Sequence, residues 1–358
     1  MIAGGGTGGH VFPALAIAKE WLSRGERRQV VLVGTARGME AKLVPAAGLP
    51  LETLHVAGLK GIGGMKLVRN VAMLGPAFWD AAQILRRHKI SAAFGVGGYA
   101  AGPMMLMAAL CGIPTAIFEP NAEPGFTNRL LAHMVTHVAT AYEAPTKRWG
   151  AKATLTGCPV RREFFEAAAA APHQPVRLLI TGGSQGALPI NRTVIDTLDL
   201  LASRKNELAI VHQTGERDYN AVRVAYARRE ILAEVVPFLT NMPERFAQAD
   251  VIVCRAGAIT VAEVAAAGRA AIFIPFGAST DSHQLRNAQE MVRASAGRLI
   301  PEPQLTPQRL AQEIFSQLDQ PQQIIELSAN ARRLSRPNAA RDIVNLIERA
   351  AGSRTITK

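Results

Sequence analysis

The chain has 358 residues, too many for one ordinary core and enough for two domains of common size. Hydrophobic residues make up 48% and charged residues 19%, which excludes a disordered chain, and 40 Lys and Arg against 28 Asp and Glu leave a formal charge of +12 that attracts an anionic partner. Aromatic residues are only 5%, against a stacking platform for single-stranded nucleic acid, and no apolar run reaches the roughly 18 residues that span a bilayer.

Short apolar runs alternate with helical stretches along the chain, the pattern of parallel sheets covered by helices. The first half is expected to supply strands at Met1–Ala3, Val30–Gly34, Ile90–Gly95, Thr115–Glu119, Val135–Thr140 and Ala153–Thr156. A first helix over Pro13–Leu22 would be opened by its proline. Between Lys60 and Lys89, the apolar residues Leu67, Val71, Leu74, Phe78 and Trp79 lie among Lys60, Lys66, Arg69, Arg86 and Arg87. That stretch reads either as an interfacial patch for anionic lipid or as an amphipathic helix packed on the sheet. Arg161 to Pro175, with its alanine run before Pro172, has no strand pattern and reads as a linker.

In the second half, strands are expected at Arg177–Thr181, Leu208–Gln213, Val235–Phe238, Asp250–Cys254, Ala271–Ile274 and Arg298–Ile300. Helices over Thr306–Leu318 and Ala339–Ala351 close the chain, the last one crossing back onto the first domain. The expected boundaries are 1–160, a linker 161–175, 176–336, and a terminal helix within 337–358. Cys111, Cys158 and Cys254, odd in number and in apolar surroundings, read as free buried thiols of a reducing compartment. With no signal peptide ahead of the first strand, the expectation is a cytoplasmic protein whose membrane contact, if any, is peripheral.

Glycine loops carry the chemistry. Gly4-Gly5-Gly6-Thr7-Gly8-Gly9-His10 follows a first strand of only Met1, Ile2 and Ala3, short for a buried strand. Gly4, Gly6 and Gly9 fit the dinucleotide spacing G-x-G-x-x-G, but that use needs an acidic residue at the end of the second strand, where Gly34-Thr35 stand. Glu26 comes too early and Glu40 lies in the next helix. Further loops follow strands at Gly95-Val96-Gly97-Gly98-Tyr99 and at Gly182-Gly183-Ser184-Gln185-Gly186-Ala187. Glycines admit a phosphate close to the backbone, and the helix behind offers unpaired N–H groups. One such loop is explained as well by a tight strand–helix turn; three, split between two similar halves, point to substrates held between domains. The Gly-Lys-Ser/Thr ending of a P-loop is absent. Arg255-Ala256-Gly257-Ala258-Ile259-Thr260-Val261-Ala262-Glu263 follows the strand Asp250–Cys254, so a helix N-terminus can face a diphosphate. Glu263, a turn in, is either a ribose ligand or a carboxylate favoured by the helix dipole. Downstream of Ile274-Pro275-Phe276, Asp281-Ser282-His283-Gln284 offers side chains suited to a sugar.

In this order the segments resemble the family 28 glycosyltransferases of GT-B fold, bacterial peptidoglycan enzymes that add N-acetylglucosamine to undecaprenyl-diphospho-muramoyl-pentapeptide. The likeness is carried by Gly5–Pro13, Gly97-Gly98-Tyr99, Gly157-Cys158-Pro159-Val160-Arg161, Gly182–Ala187, Arg255–Glu263 and His283-Gln284, nearly the whole length of the chain. It implies an α/β protein of two Rossmann-like domains facing a cleft, with UDP-GlcNAc in the second domain and the lipid-linked acceptor in the first. The expected place of work is the cytoplasmic face of the bacterial inner membrane, on an anionic surface, with no nucleic-acid partner. By the resemblance Glu263 binds the ribose, Ser184 the diphosphate, and the backbone near Leu239 the uracil, with Phe238 nearby. Gln284 contacts the donor sugar and Arg161 lies at the nucleotide, beside the helix start Ala258, Ile259, Thr260, Val261 and Ala262. Thr7, Gly8, Gly9 and Asn121 border the transferred sugar and the acceptor phosphates, and His10, with an ordinary pKa near 6.5, is the base. Arg255 or Arg161 would steady the leaving UDP. The sequence has no Asp-x-Asp pair, so neither metal nor cofactor is expected. Pro120 and Ala122 flank Asn121 where the family commonly has Gln and Gly. A different GT-B enzyme making glycolipids and a UDP-GlcNAc epimerase share these features; a nucleic-acid-binding protein would leave the glycine loops unexplained.

Overall fold

A computed structural model of the chain describes residues 1–56, 74–167, 171–277, 279 and 282–352. The chain divides into two compact units, Met1–Val160 with Asn338–Lys358, and Arg161–Pro337.

In the first unit β1 (Ile2–Gly4), β2 (Leu32–Gly34), β3 (Leu51–Thr53), β4 (Ala93–Gly97), β5 (Thr115–Glu119), β6 (His137–Thr140) and β7 (Ala153–Leu155) form one sheet in the order β3-β2-β1-β4-β5-β6-β7. All neighbours run parallel. Short as it is, β1 lies inside the sheet: Ile2 and Ala3 pair with Leu32 and Val33 on one side and with Phe94 and Gly95 on the other. β3 has no counterpart in the sequence reading. Its residues Leu51-Glu52-Thr53 form an edge strand that is at most half-buried, so it lacks the apolar run that marks an interior strand.

The first helix runs Gly8–Ser23 and begins at Gly8, not at Pro13 as expected. Extended Thr7 ends the loop, the glycines themselves make the first turn, and Pro13 is buried inside the helix with Val11, Ala14 and Ile17. Residues 57–73, which carry Lys60, Lys66, Leu67, Arg69 and Val71, lie outside the described residues. The helix Leu74–Arg87 after them shares a core with Ala3, Val33 and Ala93 through Ala81, Ile84 and Leu85. Trp79 on this helix stays 67% exposed. The helix Ala339–Gly352 packs on the helix Gly8–Ser23, burying Ile343, Val344, Leu346 and Ile347. Arg24 ties it down, donating to Asn345 Oδ1 at 2.7 Å, Glu348 Oε2 at 2.8 Å and the Arg341 carbonyl at 2.9 Å.

The second unit holds β8 (Val176–Thr181), β9 (Leu208–Gln213), β10 (Ala233–Val236), β11 (Val251–Cys254), β12 (Ala270–Phe273) and β13 (Arg298–Leu299), parallel throughout, in the order β10-β9-β8-β11-β12-β13. β10 sits earlier than the expected Val235–Phe238. Its last pair is Val236 with Gln213, and beyond it Pro237 has no N–H to give but accepts from Gly215 N at 3.0 Å. Phe238 then lies in the following loop, 52% exposed.

The segment read as a linker is packed into the second unit. Arg162–Glu166 is a 3-10 turn whose Phe164 is fully buried edge-on against Phe246, with ring centroids 5.3 Å apart. His173 N and Nδ1 bond the Asp250 carboxylate at 3.1 and 2.8 Å. Of the cysteines, Cys158 and Cys254 are buried thiols as expected, whereas Cys111 is exposed because it stands just past the end of the helix Ala101–Leu110.

In each sheet the strand order reverses beside the first strand, between β1 and β4 and again between β8 and β11. Loops leaving such a pair diverge, so each unit has a crevice at the carboxyl ends of those strands. The glycine loops lie there.

Candidate functional site

In the first unit the loop after β1 and the loop after β4 meet backbone to backbone. A Cβ on Gly98, whose φ is +84°, would run into the Gly5 carbonyl. A Cβ on Gly97, at φ +96°, would stand 2.9 Å from Cδ2 and Nε2 of His10, so glycine is what lets the ring lie on this turn. His10 Nδ1 is 3.2 Å from the Gly5 carbonyl and 3.5 Å from Thr7 Oγ1. A carbonyl can only accept, so Nδ1 carries the ring proton and Nε2 keeps its lone pair. Burial lowers the His10 pKa below its ordinary 6.5, while the Gly5 hydrogen bond and the charge of Glu40 pull upward. The ring is therefore neutral at neutral pH, the form a base needs.

Thr7, Gly8 and Gly9 share this loop–helix junction with His10, and Asn121 lies past the same end of the sheet, after β5. Asn121 N and Nδ2 donate to Glu119 Oε1 at 2.9 and 3.1 Å, and Glu119 Oε2 accepts from Gly125 N and Asn128 Nδ2 at 3.0 and 2.9 Å. Burial raises the Glu119 pKa against the pull of these donors. Glu119 is one residue that the sequence reading did not single out. Glu40, dismissed there as a ribose ligand, is another: only 1% exposed, it accepts from Gly6 N at 2.7 Å and from Thr35 N and Oγ1 at 2.8 Å each. Burial would raise its pKa, but these donors outweigh it and hold the carboxyl below its ordinary value.

In the second unit, Ser184 stands exposed on the loop Gly182–Gly186. A Cβ on Gly186, at φ +74°, would enter the Thr214 carbonyl, so this loop too rests directly on a neighbouring backbone. Gln213, at the end of β9, braces two parts of the unit: its Nε2 donates to the Gly183 carbonyl at 2.8 Å and its Oε1 accepts from Leu239 N at 3.1 Å. The buried Leu239 N–H is thus already bonded, and Gln213 fixes the backbone expected to meet the base. A polar residue closing a buried strand is the signal that Gln213 leaves in the sequence.

After β11, Arg255 turns inward. Its Nη1 donates to the Ile274 carbonyl at 3.1 Å and pairs with Glu302 Oε2 at 2.5 Å, with the guanidinium 5.3 Å from the Phe276 ring centroid. Arg255 thereby holds the loop after β12. The helix Ala258–Ala267 opens after Gly257 with no side-chain cap, so the N–H groups of Ala258, Ile259 and Thr260 start a helix with its positive end toward the crevice. Val261 is buried, and Ala262 is half-buried. Burial pushes the Glu263 carboxyl up to about 7, with the Arg161 charge pulling it down. Arg161 itself lies over the Phe164 ring at 5.1 Å. Gln284 Oε1 accepts from Ala256 N at 3.3 Å and Phe276 N at 2.9 Å, and Asn287 Nδ2 donates to the Ala256 carbonyl at 3.2 Å. Both backbone groups of Ala256, its N–H and its C=O, are thereby held. Asp281 lies outside the described residues.

Each unit is therefore a parallel sheet whose switch point carries a glycine loop and a helix start, the construction of nucleotide-binding α/β proteins. Residues 1–140 match the glycosyltransferase family 28 N-terminal domain and residues 177–346 the C-terminal domain, and the chain belongs to that family. A relative from Myxococcus xanthus (strain DK1622) is 42% identical over 97% of this chain and 91% of its own length. Another, from Anaeromyxobacter dehalogenans (strain 2CP-1), is 42% identical over 99% of this chain and 94% of its own. Both are named UDP-N-acetylglucosamine–N-acetylmuramyl-(pentapeptide) pyrophosphoryl-undecaprenol N-acetylglucosamine transferase. The crystal structure of Acinetobacter baumannii MurG is similar at a TM-score of 0.80 and 33% identity, covering 98% of both chains. The α/β, GT-B class expected from the sequence is the one found, and the chain is a glycosyltransferase.

Proposed function

We propose that this chain transfers N-acetylglucosamine from UDP-GlcNAc to the C4 hydroxyl of the muramoyl sugar of undecaprenyl-diphospho-MurNAc-pentapeptide. The observation that carries the reading is the near-full-length likeness to relatives named for that transfer. The first unit takes the acceptor and the second the donor. The uncapped start of the helix Ala258–Ala267 and the loop of Ser184 receive the diphosphate, whose charge grows as the glycosidic bond breaks. Glu263 accepts from the ribose hydroxyls, Arg161 lies at the nucleotide, and the backbone at Leu239, braced by Gln213, meets the uracil. With its oxygen tied to the backbone, Gln284 presents its amide hydrogens to the sugar.

The acceptor O4 attacks C1 on the face away from UDP. A C1–O4 bond forms, the bond from C1 to the phosphate oxygen breaks with its electron pair leaving on UDP, and the O4 proton passes to His10 Nε2. One such displacement inverts C1 and gives a β-1,4 link. Thr7, Gly8, Gly9 and Asn121 border the acceptor phosphates and the incoming sugar.

The chain works at the inner face of the bacterial membrane as a peripheral protein. Its +12 charge and exposed Trp79 support this, and among the described residues no helix is long and apolar enough to cross a membrane. Incubation with radiolabelled UDP-GlcNAc and the lipid-linked acceptor tests the reaction. Label in the lipid product is expected; free UDP-ManNAc would make the chain an epimerase, and no turnover of either kind would refute transfer.

A further inference from the structure

His10 and Glu40 share no direct hydrogen bond, yet one peptide group joins them. The Gly5 carbonyl accepts from His10 Nδ1 at 3.2 Å, and the N–H of that same peptide group, Gly6 N, donates to Glu40 Oε2 at 2.7 Å. In a trans peptide the C=O and N–H point in opposite directions, so carboxylate, peptide and imidazole stand in one head-to-tail line. Hydrogen bonds in such a line polarise one another, each by about 10–30%. A negative charge at the N–H end makes the carbonyl at the other end a stronger acceptor for Nδ1–H.

The surroundings are built to hold that charge in place. Thr35 N and Oγ1 both bond Glu40 Oε1 at 2.8 Å, leaving Oε2 to Gly6. Gly5, Gly34 and Gly38 crowd the carboxyl so closely that a Cβ on any of them would enter it; on Gly34 it would come within 3.0 Å of Oε1. No side chain but glycine leaves room for a carboxylate at this spot. Among the described residues, Glu40 is the charged group that acts on the His10 ring.

We infer that Glu40 is a positioning residue for the base, acting through the Gly5–Gly6 peptide to hold His10 in its Nδ1-protonated form and to stabilise the imidazolium that forms when Nε2 takes the acceptor's proton. The inference rests on the reading of His10 as the base. It assigns the first glycine turn a second task beyond admitting a phosphate: the turn conducts a charge to the ring. Serine hydrolases set a carboxylate directly on the histidine for the same purpose; here a peptide group stands between the two.

The test is Glu40→Gln, which keeps the shape and removes the charge. The expected result is a kcat lower by roughly tenfold, less than the about 10²–10⁴ that follows loss of a base itself. KM for UDP-GlcNAc should stay within about twofold, because binding is not what the charge serves. The acid limb of the kcat profile should move to lower pH, since the Gly5 hydrogen bond remains but the negative charge that helps it raise the His10 pKa is gone. In a His10→Gln background, Glu40→Gln should cost nothing further, because the two act as one unit. An unchanged kcat and pH profile, or a full multiplicative loss in the His10→Gln background, overturns the inference while leaving the base reading intact. Full kcat in His10→Gln alone overturns the base reading, and this inference with it. Should Glu40→Gln fail to fold, Glu40→Asp serves: it keeps the charge but falls a methylene short of Gly6 N, so kcat drops if the peptide carries the effect and stays at the wild-type value if it does not.

Discussion

Burial shifts two ionisable groups in opposite senses, the Glu263 carboxyl up to about 7 and the His10 imidazole below 6.5. A carboxylate accepts hydrogen bonds from a ribose diol and a protonated carboxyl accepts them less well, so UDP-GlcNAc should bind more tightly at pH 8 than at pH 6. Calorimetry across that range checks it, and Glu263→Gln should bind weakly at both values. The same shift sets a stability trend. Unfolded, the group releases its proton near 4.5; folded, it keeps it to about 7, so its contribution to stability falls as pH rises through that window. Without ligand, Glu263→Gln should therefore melt at a higher temperature than the wild type at pH 8, the gain in stability being at most about 3.4 kcal/mol at about 1.36 kcal/mol per pKa unit. For His10→Ala, kcat should fall by about 10²–10⁴ with donor affinity unchanged, read by steady-state kinetics beside calorimetry. The sequence pointed to these two residues because each follows a glycine-bearing turn at a helix start. It could not point to the brace at Gln213 or the contact of Glu40 with Gly6, because their partners are backbone groups from distant segments, and a backbone group leaves no mark in a residue pattern.

Elements were legible in proportion to their burial. Interior strands such as Thr115–Glu119 and Val251–Cys254 stand out as apolar runs, while the edge strand Leu51–Thr53 does not. The first helix starts earlier than expected because glycines argue for a loop and a proline for a first turn, whereas here the glycines make that turn and Pro13 lies inside the helix. The turn at Gly186 shows the cost of a methyl group at such a place. Its left-handed φ of +74° and the Thr214 carbonyl against it leave no room, so Gly186→Ala should destabilise the second unit by about 1 kcal/mol or more, seen as a lower melting temperature. On the helix Leu74–Arg87, the face bearing Ala81, Ile84 and Leu85 belongs to the core and Trp79 does not. Flotation with anionic vesicles should therefore show weaker binding for Trp79→Glu, with transfer to a detergent-solubilised acceptor retained.

At the scale of the molecule, both sheets repeat one plan, with their first strand inside and their order reversing next to it. Alternating strands and helices in the sequence foretold parallel sheets but not the lateral order, since βαβ connections of similar length reach either neighbour. The helix Ala339–Gly352 belongs to the first unit although it follows the second along the chain. Removing residues 338–358 takes away Ile343, Val344, Leu346 and Ile347, each worth about 1.5–3 kcal/mol when buried, and bares the surface they cover. Hydrogen exchange of that truncated chain should show β5 and β6 losing protection while β8 and β9 keep theirs.

That layout also dictates an order of birth. The ribosome delivers residues 161–337 before it delivers the helix that seals the sheet begun by Met1. At about 5–20 residues per second, the early half waits on the order of ten seconds or more, with the flank of its first helix still bare. The later-made unit can finish first, and the earlier one is closed only when the helix Ala339–Gly352 has emerged.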